Sequence, residues 1–281
     1  MRTILRFFLK IVVGIFALIG FIVVGIAGWL TTFFIWPDIT YLKTAPPQKT
    51  AFMEFRERQW AAMNQKTKLR YTWVPLAKIS PFLQDAVLIS EDDKFWQHYG
   101  FDLAGIQEAL EKNMRSGKMK AGGSTITQQL AKNIFLSPEK TPTRKLKEAL
   151  LTLRLERELG KKRILELYLN VAEWGPGIFG IEEAALHYYG KHASQLMPDE
   201  ACRLAAVLPN PIRFSPISDS RYLNTRAKVI LKVMQKRDQG LSTWEDLQSN
   251  SSPEAETENE ESPFIPALPG GPETEEAPPA P

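Results

Sequence analysis

Three stretches of this chain carry side chains that can do chemistry. Glu91-Asp92-Asp93-Lys94-Phe95-Trp96-Gln97-His98-Tyr99-Gly100 is an acidic cluster closed by a histidine, a tyrosine and a glycine. Gly122-Gly123-Ser124-Thr125-Ile126-Thr127-Gln128-Gln129-Leu130-Ala131-Lys132-Asn133 reads as a Gly-opened, Ser/Thr-capped helix whose next turn carries amides and a lysine. A carboxylate takes a proton, and a helix N-terminus backed by a cation holds a phosphate. Together they suggest a reaction between a hydroxyl group and a phosphorylated leaving group. Arg144-Lys145-Leu146-Lys147-Glu148 adds a second carboxylate. On a helix, Arg144 and Glu148 stand i,i+4 and Lys147 is adjacent, so the three point roughly the same way.

Blander readings stand beside these. An acidic triplet on a helix is usually a solvated face. Asp92 either orients the neighbouring Glu91 or caps the helix end, and His98 suits fixing the turn at Gly100 better than reacting. An exposed Arg144–Glu148 pair would be worth only about 0.3–0.5 kcal/mol. Ser124 is a simple helix cap in the same spirit. Other chemistries fail on spacing. His98, His187, His192 and Cys202 show no zinc-site pattern, and no His-Glu-x-x-His occurs. Ser137-Pro138-Glu139-Lys140 matches a Ser-x-x-Lys pattern by chance, because no Lys-Thr-Gly occurs and too little chain follows.

The elements that must position these residues follow from periodicity and punctuation. Residues 51–64 read as an amphipathic helix, and Tyr71-Thr72-Trp73-Val74-Pro75 as a short extended piece. Ser80-Pro81 opens a helix that delivers Glu91 near its end. Asp102 caps the next, which Gly117 stops. That helix carries Leu103, Ile106, Leu110 and Met114 on one stripe, with Lys112, Arg115, Lys118 and Lys120 around it. The stripe fits either a core-facing helix or a surface dipping into lipid. Thr143 starts a helix running to Gly160, Lys161 to Asn170 continues as another, and further helices are expected over 181–189, 198–208 and 219–239. No repeat or strand series appears, so the fold class is mostly α.

Residues 11–36 carry no charge and are mostly Ile, Val, Phe, Leu, Gly and Ala. A bilayer core of about 30 Å needs roughly 20 such residues. The run exceeds the roughly 7–15 apolar residues of a cleaved signal peptide, so an uncleaved signal-anchor helix is predicted. Arg2, Arg6 and Lys10 precede it and favour a cytoplasmic N-terminus over residues 1–10. Trp29, Phe33, Phe34, Trp36 and Tyr41 would sit near the outer interface. A juxtamembrane segment over 37–70 and a catalytic domain over 71–239 follow. Residues 240–281 hold ten acidic and no basic residues, and eight of the 20 prolines lie beyond residue 249, a composition that argues an acidic, Pro-rich disordered tail. Without the tail, 35 basic residues face 22 acidic ones, a net of +13. Such a body suits anionic lipid surfaces and phosphate-bearing substrates. No nucleic-acid module is recognisable. The single cysteine, Cys202, excludes an internal disulfide.

The two opening stretches resemble the first two motifs of the peptidoglycan glycosyltransferases of glycosyltransferase family 51. Arg144-Lys145-Leu146-Lys147-Glu148 resembles the third. Ile164-Leu165-Glu166-Leu167-Tyr168-Leu169-Asn170, Gly175, Gly180-Ile181, Ala184-Ala185 and Tyr188-Tyr189-Gly190 resemble the fourth, with Tyr189 where Phe is commoner. Leu196, Glu200, Leu204-Ala205 and the prolines at 209, 211 and 216 resemble the fifth. The motifs run in order from about Pro75 to Pro216, and Leu208-Pro209-Asn210-Pro211 resembles the monofunctional branch.

The resemblance implies a lysozyme-like glycosyltransferase domain with a small membrane-facing jaw. It implies that lipid II is polymerised into β-1,4 glycan strands with inversion, undecaprenyl pyrophosphate leaving. Glu91 would be the general base and Glu148 the second catalytic carboxylate. Asp92, Gly122, Ser124, Gln129, Lys132, Lys140, Arg144 and Lys147 would bind substrate. A divalent cation, Mg2+ or Mn2+, would ride on the substrate pyrophosphate, with Glu148 its one candidate protein ligand; no organic cofactor is implied. Partners would be lipid II, the growing lipid-linked strand, the membrane, and the divisome or other cell-wall synthases. Location would be the bacterial inner membrane, with the catalytic domain extracytoplasmic. A lytic transglycosylase of lysozyme-like fold and a non-catalytic envelope scaffold are the rival readings. A cleaving enzyme has no need of cation-bearing motifs around both glutamates, and a scaffold need not keep either glutamate.

Overall fold

Caps and apolar stripes account for most of the helices. A computed structural model of the chain describes residues 2–35, 37–116, 123–138 and 141–238. Gly117, Gly122, Lys118, Lys120, Lys140, Trp36 and the 240–281 tail, all singled out above, lie outside the described residues. Ten helices and three very short strands are present among those that are described. α1 (Arg2–Ile35) contains an apolar stretch, Phe8–Gly28, that none of the other described residues covers. Its 21 residues span about 32 Å as helix, long enough to cross a membrane.

The chain does not leave α1 as a free tether. Ile39 and Leu42 are buried, Arg154 Nη2 donates to Pro37 O at 2.9 Å, and Arg163 donates to Leu42 O at 2.7 Å and Ala45 O at 2.9 Å. Thr50 then caps α2 (Ala51–Ala62). Strand β1 (Arg70–Tyr71) precedes α3 (Pro81–Glu91), whose first position is Pro81. α4 (Leu103–Ser116) begins with Asp102 accepting from Gly105 N at 3.0 Å. α5 (Ile126–Phe135) is capped by Thr125, one residue after the expected Ser124. Thr125 has Gln128 at the third helical position, and the two exchange side-chain and backbone bonds as a capping box. α6 (Pro142–Glu158) likewise starts earlier than Thr143, because Thr141 caps it and Pro142 occupies the first turn.

After α7 (Lys161–Val171), β2 (Glu173–Gly175) and β3 (Ile178–Phe179) form an antiparallel hairpin, and β1 joins β3 in parallel, giving the order β1-β3-β2. Gly180 leaves the hairpin at φ 82°; a Cβ there would lie 2.7 Å from Asn170 O, so only glycine fits the entry to α8 (Ile181–Tyr189). α9 (Pro198–Val207) and α10 (Arg221–Asp238) complete the chain. α3, α9 and α10 pack together, while α5 lies against α2, α6 and α7. Leu83, Leu130, Leu151, Tyr168, Trp174 and Leu204 are among the fully buried residues of one continuous core.

The stripe on α4 does not face that core. Leu103, Leu110 and Met114 are 76%, 58% and 75% exposed, and the preceding Trp96 and Tyr99 are 50% and 84% exposed. An amphipathic pattern fixes which residues share a face, not what covers it, so the core-facing reading fails here.

Candidate functional site

Glu91 is the last residue of α3. Leu83, Val87 and Leu88 anchor the helix in the core, and the N–H of Asp92 closes its last turn on Leu88 O at 2.9 Å. The Glu91 side chain is 9% exposed. Gln129 Nε2 donates to Glu91 Oε2 at 2.9 Å; Ser90 Oγ lies 3.3 Å and Arg226 Nη2 3.9 Å from Oε1. Burial pushes the carboxyl above the usual carboxylate range. The Gln129 bond, Arg226, Ser90 and Lys132 pull it part of the way back. A carboxylate raised in this way is the better proton acceptor.

Asp92 follows immediately but is bonded elsewhere. Ile126 N donates to Oδ2 at 2.9 Å and His98 Nε2 donates to Oδ1 at 2.8 Å. Gly100 N–H points at His98 Nδ1 at 3.1 Å, which leaves the proton on Nε2. Thr125 Oγ1 then donates to Gly100 O at 2.7 Å. Gly100 has φ 84°, and a Cβ on it would come within 2.6 Å of Thr152. This circuit stitches the end of α3 to the start of α5, so Asp92 and His98 hold the Glu91 helix end in register. Neither of the two Asp92 bonds involves Glu91.

Gln129 and Lys132 are one turn apart on α5, which places both beside Glu91. Burial lowers the Lys132 ammonium pKa. Glu148 and Glu91 oppose that fall, while Arg144 and Lys145 add to it. Lys132 thus sits in the field of both carboxylates. Glu148 is 3% exposed in α6 and holds Arg144 Nη1 at 2.6 Å on Oε2 and Lys145 Nζ on Oε1. Arg144 and Lys145 are thus both bonded to Glu148. Lys147, expected in that place, stands one residue before Glu148, about 100° round the helix, whereas Lys145 is at i−3. Ser124 is exposed, with Lys145 Nζ at 3.5 Å from its Oγ.

Three contributors escaped sequence reasoning. Lys145 was legible from its i−3 spacing. Arg226, from α10, donates to Ser90 Oγ at 3.1 Å, and Tyr168, from α7, donates to Gln129 Oε1 at 3.1 Å. The last two reach the site across the fold: Tyr168 stands in the fourth motif but nothing local gives it this role, and no local pattern signals Arg226. Among the described residues, no group of three or more His, Cys, Asp or Glu could hold a metal. Both Glu148 oxygens carry cations, so this donor set does not fit a protein-held divalent ion.

A raised carboxyl, a second carboxyl wrapped in cations, and a partly buried lysine in the field of both suit proton removal next to a departing anion. The transglycosylase family model matches residues 57–235, which include every residue of this site. The chain belongs to that family. A Laribacter hongkongensis protein named biosynthetic peptidoglycan transglycosylase is 47% identical over 222 residues, covering 77% of this chain and 97% of the relative. Proteins of the same name are 47% identical in Nitrosospira multiformis (72% of this chain, 88% of the relative) and 55% identical in Aromatoleum aromaticum (60% and 73%).

Proposed function

We propose that this protein polymerises lipid II into β-1,4-linked peptidoglycan strands. The observation that carries the reading is the pairing of a Glu91 held by Gln129 at 2.9 Å with the Arg144–Glu148–Lys145 cluster, Lys132 one turn beyond Gln129 lying in the field of both. Glu91 Oε1 takes the proton of the acceptor sugar 4-hydroxyl. The freed oxygen attacks the donor's anomeric carbon from the face opposite the lipid pyrophosphate. The C1–O bond breaks, its electron pair leaves with undecaprenyl pyrophosphate, and the α-linked donor becomes a β linkage. Lys132, Arg144 and Lys145 face the charge that grows on the pyrophosphate and favour the transition state over the ground state. Glu148 holds two of these cations in place. Gly122, Ser124, Lys140 and Lys147 are assigned to binding the donor, and Gln129 to holding the base. Any divalent ion arrives with the pyrophosphate and is part of the substrate.

Substrate and product carry a long lipid, so the enzyme works at a membrane. α1 supplies the anchor in the inner membrane, with Arg2, Arg6 and Lys10 on the cytoplasmic side and the catalytic domain outside it. The exposed α4 stripe, with Trp96 and Tyr99 beside it, is the surface that dips into the lipid. The divisome and other cell-wall synthases are the proposed protein partners. Purified protein mixed with lipid II should yield glycan chains that a muramidase digests. Release of disaccharide or anhydro-sugar from preformed strands, with no polymer made, would instead mark a lytic enzyme.

A further inference from the structure

Tyr168 is buried in α7 and takes no part in the reaction as proposed. Its hydroxyl donates to Gln129 Oε1 at 3.1 Å, and Gln129 Nε2 donates to Glu91 Oε2 at 2.9 Å. An amide has an accepting side and a donating side, and turning it over exchanges them at little steric cost. With its carbonyl toward a donor hydroxyl, Gln129 must present its NH2 to the carboxylate. Turned over, it would set a carbonyl against Glu91, an arrangement that suits only the protonated acid. We propose that Tyr168 is a positioning residue that acts through Gln129, locking the amide so that its NH2 faces Glu91 and holds Oε2 of the charged base. This rests on Glu91 being the general base.

The chemistry of Tyr168 suits the role. Burial, with Glu91 and Asp92 nearby, pushes its pKa well above the ordinary phenol value, so it keeps the proton it donates. The other groups facing Glu91 are Arg226 from α10, Lys132 from α5 and Ser90 on its own helix. A Tyr168→Phe change leaves all of them in place.

The test is the pH profile of polymerisation on detergent-dispersed lipid II. Tyr168→Phe should lower kcat several-fold, leave KM near wild type and move the acid limb up by about half a pH unit, because Gln129, without the Tyr168 bond that fixes its amide, holds the charged form of the base less firmly. 3-Fluorotyrosine at position 168, a stronger donor of almost the same shape, should move the limb the other way; it also covers the case in which the Phe variant folds poorly. In a Gln129→Ala background, Tyr168→Phe should add nothing. An unmoved acid limb in both position-168 variants, or an undiminished loss in the Gln129→Ala background, would overturn the inference and leave Tyr168 a packing residue. Near-normal turnover in Glu91→Gln would instead remove the base assignment beneath it, so the two failures are distinguishable.

Discussion

Glu91 joins burial, a raised carboxyl and a lysine in one side chain, and these pull activity and stability in opposite directions. Glu91→Gln keeps the shape and removes proton acceptance, so polymerisation should fall roughly 10²-fold or more. The same change removes a charge that burial disfavours, so the melting temperature at neutral pH should hold or rise. A clear drop would show that Glu91 is needed mainly for packing. Glu173 gives the same argument without catalysis. It is buried in β2, and burial lifts its pKa to about 7 from 4.5 despite Arg56 at 2.9 Å. The folded chain therefore keeps a proton that the unfolded chain releases near pH 4.5, and stability falls as pH rises from there to about 7. The full effect is of order 3 kcal/mol. Melting temperatures followed from pH 5 to pH 8 should decline less for Glu173→Gln than for wild type. Parallel curves would show that Arg56 holds the carboxylate charged throughout.

The helices show what the sequence could and could not disclose. Pro81, Pro142 and Pro198 each occupy a first turn, and Gly190 follows α8 in the left-handed conformation, so most boundaries were readable from local punctuation. Where two capping residues were adjacent, the partner three positions on decided, as Gln128 does for Thr125. Glu91, Gln129, Lys132 and Glu148 were legible because each lies within a short local motif on its own helix, α3, α5 or α6. Arg226 and Tyr168 were not, since they arrive from helices whose neighbours only the tertiary packing selects. Lys145 and Lys147 put the helical argument to the test. Lys145→Ala removes a cation bonded to Glu148 and should cost kcat more than Lys147→Ala does. Arg144→Ala and Glu148→Gln should each damage turnover, and the double variant should lose less than the sum if the cluster acts as a unit. Strict additivity in steady-state kinetics would separate their roles.

At the scale of the molecule, the apolar helix α1 and the rest of the fold are joined by the stretch from Pro37 to Ala45. A lipid-bearing substrate is confined to a surface, and an enzyme tethered to that surface gains effective concentration without any new contact. Removing residues 1–36 should therefore spare turnover of detergent-dispersed lipid II and sharply reduce it on neutral vesicles. Anionic vesicles should restore part of the loss through the basic body, and added salt should cancel that rescue. Equal rates for full-length and truncated protein on neutral vesicles would leave the anchor a localising role alone. The cut site decides whether the experiment is clean. Ile39 and Leu42 are buried in the core, and Arg154 and Arg163 bond to the backbone of this stretch. Each buried aliphatic side chain contributes about 1.5–3 kcal/mol, so a truncation after residue 45 should melt well below one after residue 36 and lose activity even in detergent. If the two truncations melted together, the docking of the 37–45 stretch would not stabilise the body, and the vesicle comparison could be made with either.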